Sequence, residues 1–319
     1  MNTEMERIFN SGIVPVVVTE DAKNAVPTAK ALRAGGIEVV EITMRTSAGL
    51  ESIENITREL PTMMVIAGTV LTLEKCKQCI AAGARGIVSP GFDPTIVKYC
   101  IDNHVNVIPG CVTPTEIQQA LSYNLSVLKF FPANVYGGID ALKALAGPFE
   151  NVSFIPTGGV NEANIGEFAA VPSVFAVGGS WICTKADIAA NAIDRITALT
   201  VKARQNMHGF EFAHMGINTD SADSSQDTVD SFLEIFNFPV KLGSSSNFSG
   251  ASIEVMKEKY LGEYGHIAVR TNNIKRAIPY LTAKGYAIDP DTAKYKNEKM
   301  IAIYLKNEIG GFAVHLLQK

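Results

Sequence analysis

The chain has 319 residues, 47% of them hydrophobic and 19% charged, with a formal net charge of −4. That composition supports a sizeable core and excludes a disordered chain, and the length favours two domains over one. The slight acidic balance offers no basic face to nucleic acid, and no apolar run approaches the ~18 residues of a membrane span.

The N-terminus, MNTEMERIFNSG, lacks the basic-then-apolar layout of an export signal. Five cysteines (76, 79, 100, 111 and 183) are few and odd in number, as expected of free thiols in a reducing, cytoplasmic setting. Cys76 and Cys79 form a CxxC within TLEKCKQCIAAGA, which reads as a buried helical pair rather than a redox or metal site.

From residue 13 one unit repeats. Apolar strands are predicted at 13–18, 39–44, 64–69, 86–91, 106–111, 127–132, 152–159 and 173–180. They are near-continuous apolar runs, as in a parallel sheet covered by helices. Amphipathic stretches separate them, with start signals at Asp93-Pro94, Thr113-Pro114-Thr115-Glu116 and Thr184 with Asp187. AGG at 34–36 and AAGA at 81–84 are the matching stops. Eight strand–helix units in about 200 residues predict a closed (β/α)₈ barrel. Polar residues gather at the carboxyl ends of its strands: Glu41, Arg45, Thr69, Ser89, Thr113, Thr157 and Ser180. The last barrel helix is expected at roughly 185–206.

Lys129, inside the apolar strand VLKFFP, needs a reason to be there. It fits a structural pair with a carboxylate, a point charge for a phosphate, or the amine of a Schiff-base enzyme. Its company favours the third. Glu41 supplies a carboxylate that moves protons, and Arg45 can grip a substrate carboxylate with two hydrogen bonds. Thr69 and Thr157 add hydroxyls, and the glycine turns PTGGV (156–160) and VGGSW (177–181) end strands seven and eight, a common phosphate cradle in barrels.

The motifs EITMRT, AGTVL, SPG, IPG, KFFPA, PTGG and GGSW run in this order through residues 1–206. On them the segment resembles the 2-dehydro-3-deoxy-6-phosphogluconate / 4-hydroxy-2-oxoglutarate aldolases, class I barrels that act as trimers. The resemblance implies a Schiff base on Lys129, acid/base work by Glu41, and a pyruvate-carboxylate site at Arg45 and Thr69. It further implies substrate contacts from Phe131, a wall at Pro90, and a hydroxyl and phosphate region at Thr157, Gly158, Gly159, Gly179 and Ser180. The expected substrate is a small keto-acid phosphate, handled without a cofactor. Alternatives are the 6-phosphogalactonate series, a metal-using lyase, or a phosphosugar-binding barrel without catalysis.

After the barrel the rhythm changes. Residues 207–319 read as an α+β domain of two βαβ-type modules, the first shortened and lacking a strand. GHIAVRTNNIKRAIPYLTAKG and GFAVHLLQ resemble the glyoxalase or vicinal-oxygen-chelate superfamily. That resemblance implies a divalent metal (Zn, Ni or Fe) on His214, Glu254, His266 and His315, the last a departure from the usual glutamate.

Overall fold

The structure, a computed structural model, describes residues 2–319. The chain divides into two compact units, with the break between Met207 and His208.

The first unit holds eight parallel strands: β1 (Ile13–Val17), β2 (Val39–Thr43), β3 (Met64–Gly68), β4 (Gly86–Val88), β5 (Asn106–Ile108), β6 (Val127–Phe130), β7 (Ser153–Pro156) and β8 (Val177–Gly179). Its helices are α1 (Thr3–Ser11), α2 (Ala25–Ala34), α3 (Gly49–Glu59), α4 (Leu73–Ala81), α5 (Pro94–Asp102), α6 (Pro114–Ser122), α7 (Gly138–Ala146), α8 (Ile165–Ala169), α9 (Lys185–Ala189) and α10 (Ile193–His208). Ladders join β5 through β1 to β8 and join β6 to β7. Bridges at Gly110–Lys129 and Thr157–Gly178 link those two sheets into a ring, so the architecture is the closed α/β barrel expected from the repeat.

Several local details follow from sequence. The capping box at Thr113 and Glu116 forms, and Asp93, Thr72 and Thr184 cap their helices. Gly36 and Gly83 adopt positive φ just beyond helix ends. Cys76 and Cys79 lie buried in α4, as expected of a helical pair.

Other details differ. The strands are shorter than the apolar runs, because the C-terminal residues of the runs leave the ladder and form the rim; β8 also starts four residues later than expected and β7 one residue later. The helix expected at 185–206 is two helices, interrupted where Asn191 takes a left-handed φ of 50°. Ahead of β1, α1 closes the amino-terminal end of the barrel: Ile8 joins the interior cluster with Val14, Val39 and Met64. Arg7 reinforces that closure by donating to the carbonyls of Glu38 and Thr62, just before β2 and β3.

The second unit is a single eight-stranded sheet with two helices. Its elements are β9 (Glu211–Ile217), α11 (Ala222–Phe236), β10 (Val240–Leu242), β11 (Ser246–Ser249) and β12 (Ile253–Met256), then β13 (Gly265–Thr271), α12 (Ile274–Thr282), β14 (Ile288–Lys296), β15 (Lys299–Leu305) and β16 (Phe312–Gln318). Each half is therefore βαβββ, and the expectation of a missing strand is corrected. The first half is shorter because its last three strands have 3, 4 and 4 residues against 9, 7 and 7 in the second. The strand order β10-β11-β12-β9-β13-β16-β15-β14 reads the same from either edge when each half is numbered alike. Among the described residues no helix is long and apolar enough to cross a membrane.

Candidate active site in the barrel and polar cluster in the second unit

Side chains alternate across a strand, so every second residue faces the barrel axis. The interior cluster contains Val14, Val39, Ile66, Val88, Ile108, Ile155 and Ala176, with Val127 packed against it. Two residues further along each strand, one layer higher, stand Val16, Glu41, Gly68, Pro90, Gly110, Lys129, Thr157 and Gly178. The candidate site is thus the layer directly above an all-apolar floor, at the end of the barrel where chemistry is built in this fold.

Glycine makes the space in that layer. A Cβ on Gly68 would lie 2.0 Å from Glu41 Oε1, one on Gly178 would lie 2.2 Å from Thr157 Oγ1, and one on Gly110 would strike the Pro90 carbonyl. Into this space Lys129 Nζ donates to Glu41 Oε1 at 3.4 Å, and both side chains are only 5% exposed. The ammonium also stands 5.2 Å from the centre of the Phe131 ring. A buried pair of this kind contributes little net stability against hydrophobic residues of similar size, so its presence asks for a use.

The remaining predicted residues sit around this pair. Arg45 follows β2 and Thr69 follows β3, and Arg45 Nε donates to Thr69 Oγ1 at 3.3 Å. Thr69 holds a left-handed φ of 57°, uncommon for a β-branched residue and typical of strained functional sites. Arg45 is exposed, with its donors open to a ligand. Thr157 is buried, while Gly158 and Gly159 both have positive φ in the turn that follows. Gly179 lies under the Trp181 ring, and Ser180 is exposed beside it.

Two rim residues do other work. The Ser89 hydroxyl donates to the Gly91 carbonyl, and Thr113 caps α6, so both serve local turns. Sequence reading passed over three asparagines. Asn134, Asn161 and Asn164 all donate to the Gly159 carbonyl. The signal available was the spacing of Asn161 and Asn164 just after PTGG, which reads as ordinary turn chemistry by itself.

In the second unit the four predicted residues come together on its four central strands. His214 and His315 both pair with Ala268 in the ladders, and Glu254 and His266 both pair with Gly216. Gly216 leaves room for the imidazole, since a Cβ there would lie 2.0 Å from His266 Cε1. Glu254 Oε2 lies 3.0 Å from His214 Nε2 and 3.2 Å from His266 Nε2, and its other oxygen accepts from Ser246. Burial would raise the Glu254 carboxyl, but these hydrogen bonds outweigh it and hold the carboxyl well below its usual range. His315 stacks on Tyr304 at 4.6 Å, and neither of its ring nitrogens has a hydrogen-bond partner. Burial first, and then the neighbouring His266 and His214, push His315 down to about 3, so it is a neutral imidazole at ordinary pH. Three imidazoles, each with a donor atom within 4.8 Å of the others, and one carboxylate form a set that can hold a divalent ion.

Comparison with known proteins bears on the barrel. The family model for KDPG and KHG aldolase matches residues 5–199. The 2-dehydro-3-deoxy-phosphogluconate aldolase of Treponema pallidum is 43% identical over 205 residues, covering 64% of this chain and 98% of that protein. The KHG/KDPG aldolase of Escherichia coli K12 is 41% identical over 202 residues, covering 63% of this chain and 95% of that protein. A solved KDPG aldolase from Legionella pneumophila, with pyruvate captured as a covalent carbinolamine, superimposes with a TM-score of 0.62 at 36% identity, covering 63% of this chain and 98% of that one. With the family model spanning more than half of its residues, this chain belongs to the KDPG and KHG aldolase family.

Proposed function

We propose that the barrel is a class I aldolase that cleaves 2-dehydro-3-deoxy-6-phosphogluconate to pyruvate and D-glyceraldehyde 3-phosphate, and 4-hydroxy-2-oxoglutarate to pyruvate and glyoxylate. The observation that carries the reading is the buried Lys129–Glu41 pair at the strand ends, 3.4 Å apart. A binding protein has no need for an amine beside a carboxylate in a desolvated layer. An aldolase needs both.

In this reading Glu41 takes the proton that the Lys129 ammonium must lose before it attacks. The free amine adds to the C2 ketone, and the protonated Glu41 returns its proton to the carbinolamine hydroxyl, which leaves as water to give an iminium and a free carboxylate. Glu41 then removes the proton of the C4 hydroxyl. The C3–C4 bond breaks, its electrons flow to the iminium nitrogen, and the aldehyde departs from the enamine. Protonation at C3 and addition of water release pyruvate and restore the lysine. Arg45 and Thr69 hold the pyruvate carboxylate, Phe131 and Pro90 wall the reacting carbons, and Thr157 with Ser180 reaches the substrate hydroxyls. The turns at Gly158, Gly159 and Gly179 offer backbone N–H groups to the 6-phosphate. Assembly as a cytoplasmic homotrimer completes the reading, on the resemblance of the barrel to a family of trimers. Pyruvate release from both substrates, undiminished by excess chelator, is the expected result. Complete loss on chelation would point to the metal-using lyase instead.

For residues 207–319 we propose a glyoxalase-like domain that holds a divalent metal on His214, Glu254, His266 and His315. The duplicated βαβββ halves, the mirrored strand order and the convergence of the four side chains support it. The unpartnered nitrogens of buried His315 also fit, because leaving them so costs about 1–3 kcal/mol that coordination would offset. Such an ion supplies Lewis-acid polarisation of a bound oxygen. Elemental analysis of protein purified without a nickel column tests this. Near one equivalent, falling in His266→Ala, is expected, and under a tenth of an equivalent in both would leave a scaffold or small-molecule pocket.

A further inference from the structure

The turn after β7 is held from one side by an array that the aldol chemistry does not use. Loops after β6 and β7 run side by side: the Ala133 N–H donates to the Thr157 carbonyl at 2.8 Å, and the Asn134 N–H donates to Gly158 at 3.1 Å. The next carbonyl, that of Gly159, accepts three side-chain amides, from Asn134 at 3.3 Å, Asn161 at 3.2 Å and Asn164 at 2.9 Å. Asn164 is itself braced, because its Oδ1 accepts the Asn161 N–H at 2.8 Å. A carbonyl oxygen has two lone pairs, so three donors saturate it.

A trans peptide is planar, and its C=O and N–H point in opposite directions. Fixing the Gly159 carbonyl therefore fixes the Val160 N–H, aimed away from the asparagines. Neither the Gly159 nor the Val160 N–H finds an acceptor among the described residues. Three amides drawing on the carbonyl also polarise the peptide, which makes that N–H a better donor. The fit is close: a Cβ on Gly159, whose φ is +88°, would lie 2.2 Å from the Asn134 amide.

We propose that Asn134, Asn161 and Asn164 form a clamp on the Gly159 carbonyl that holds the turn's N–H groups toward the substrate phosphate, making them positioning residues that set preference for phosphorylated substrate. The proposal rests on the phosphate reading of this turn given above. Because Asn134 sits two residues after VLKFFP (127–132) and only five after Lys129, the clamp also ties the phosphate turn to the strand that carries the amine. Asn134 and Asn164 also line a cleft of about 480 Å³, so shortening either lets water in rather than leaving a dry hole.

The test compares kcat/KM for 2-dehydro-3-deoxy-6-phosphogluconate and 4-hydroxy-2-oxoglutarate in the full chain and in Asn134→Ala, Asn164→Ala and the double variant. Thermal melting and borohydride trapping of pyruvate report folding and an intact lysine. The ratio of the two kcat/KM values is expected to fall on the order of tenfold in each single variant, mostly through KM for the phosphorylated substrate. In the double variant the fall should be smaller than the product of the two, since both act on one carbonyl. Inorganic phosphate should weaken as a competitive inhibitor in parallel. Unequal substrates in the parent with an unchanged ratio in folded, trappable variants would overturn the clamp alone. No preference and no phosphate inhibition in the parent would overturn the phosphate reading and the clamp with it. If Asn164→Ala fails to fold, Asn134→Ala decides the matter.

Discussion

The two units each bury a polar cluster on apolar strands, and the clusters differ in what they leave unfinished. In the barrel, one ammonium meets one carboxylate above a hydrophobic floor, and the pair satisfies itself at 3.4 Å. In the second unit, His214 and His266 contact the Glu254 carboxylate, His315 stands beside them, and its two ring nitrogens remain without partners. A self-satisfied pair with a nucleophile is complete until substrate arrives. A donor set with idle lone pairs has room for something bound. The contrast supports the proposals of covalent chemistry at the first and of ligation at the second.

The strongest way to break that comparison is Lys129→Ala. Cleavage should fall by roughly 10⁴-fold or more, since every later step needs the iminium. If substantial turnover survives, the barrel is not a Schiff-base enzyme. Glu41→Gln should lower kcat by about 10²–10⁴-fold while pyruvate still adds to the lysine, which rapid-quench trapping would read. Equal losses in trapping and cleavage would confine Glu41 to helping the amine form. A smaller effect tests the frame rather than the site. Thr113→Ala should cost about 1 kcal/mol, a fall of roughly 2–4 °C in Tm, with kinetic constants unchanged.

The same cap gives a pH signature. Burial alone would raise the Glu116 carboxyl, but the Val112 and Thr113 N–H groups and the Thr113 hydroxyl hold it below its ordinary value. A depressed folded pKa adds stability above the unfolded value of roughly 4.3 and loses it as pH falls through the folded one. Glu116→Gln should therefore flatten the acid limb of the melting curve, its effect fading as pH falls below the folded value. The smallest expected effect is that of removing the second unit. Residues 1–206 alone should keep kcat/KM within about twofold, because all the proposed catalytic groups lie on the barrel. The Treponema relative is matched over 98% of its own length by barrel residues, in line with this. Loss of activity in a folded truncation would show that the units share a site.

Much of this was legible in the sequence where one residue had to answer to two patterns. Lys129 breaks an apolar run, and His266 and His315 break theirs, which is what singles out each position in the sequence. Pleat alternation then places Lys129 and Glu41 in one layer from strand positions alone. Other features left no such mark. The α1 plug is nine residues with a polar start, too short to separate from a leading loop. Strand β10 has three residues, fewer than periodicity needs, which is why the first half of the second unit looked a strand short. Ser89 and Thr113 were polar at the right end of their strands, yet a hydroxyl there satisfies a turn as readily as a substrate. The asparagine clamp depends on two loops lying side by side, a relation between residues 25 apart at Asn134 and Gly159.

The proposed chemistry of the barrel depends on a covalent bond at one nitrogen. Borohydride reduction of the full chain in the presence of pyruvate, read by intact mass and then by peptide mapping, tests it directly. The expected result is one reduced pyruvyl adduct per chain, on Lys129 and absent in Lys129→Ala. An adduct on another lysine, or none under conditions where cleavage proceeds, would contradict it.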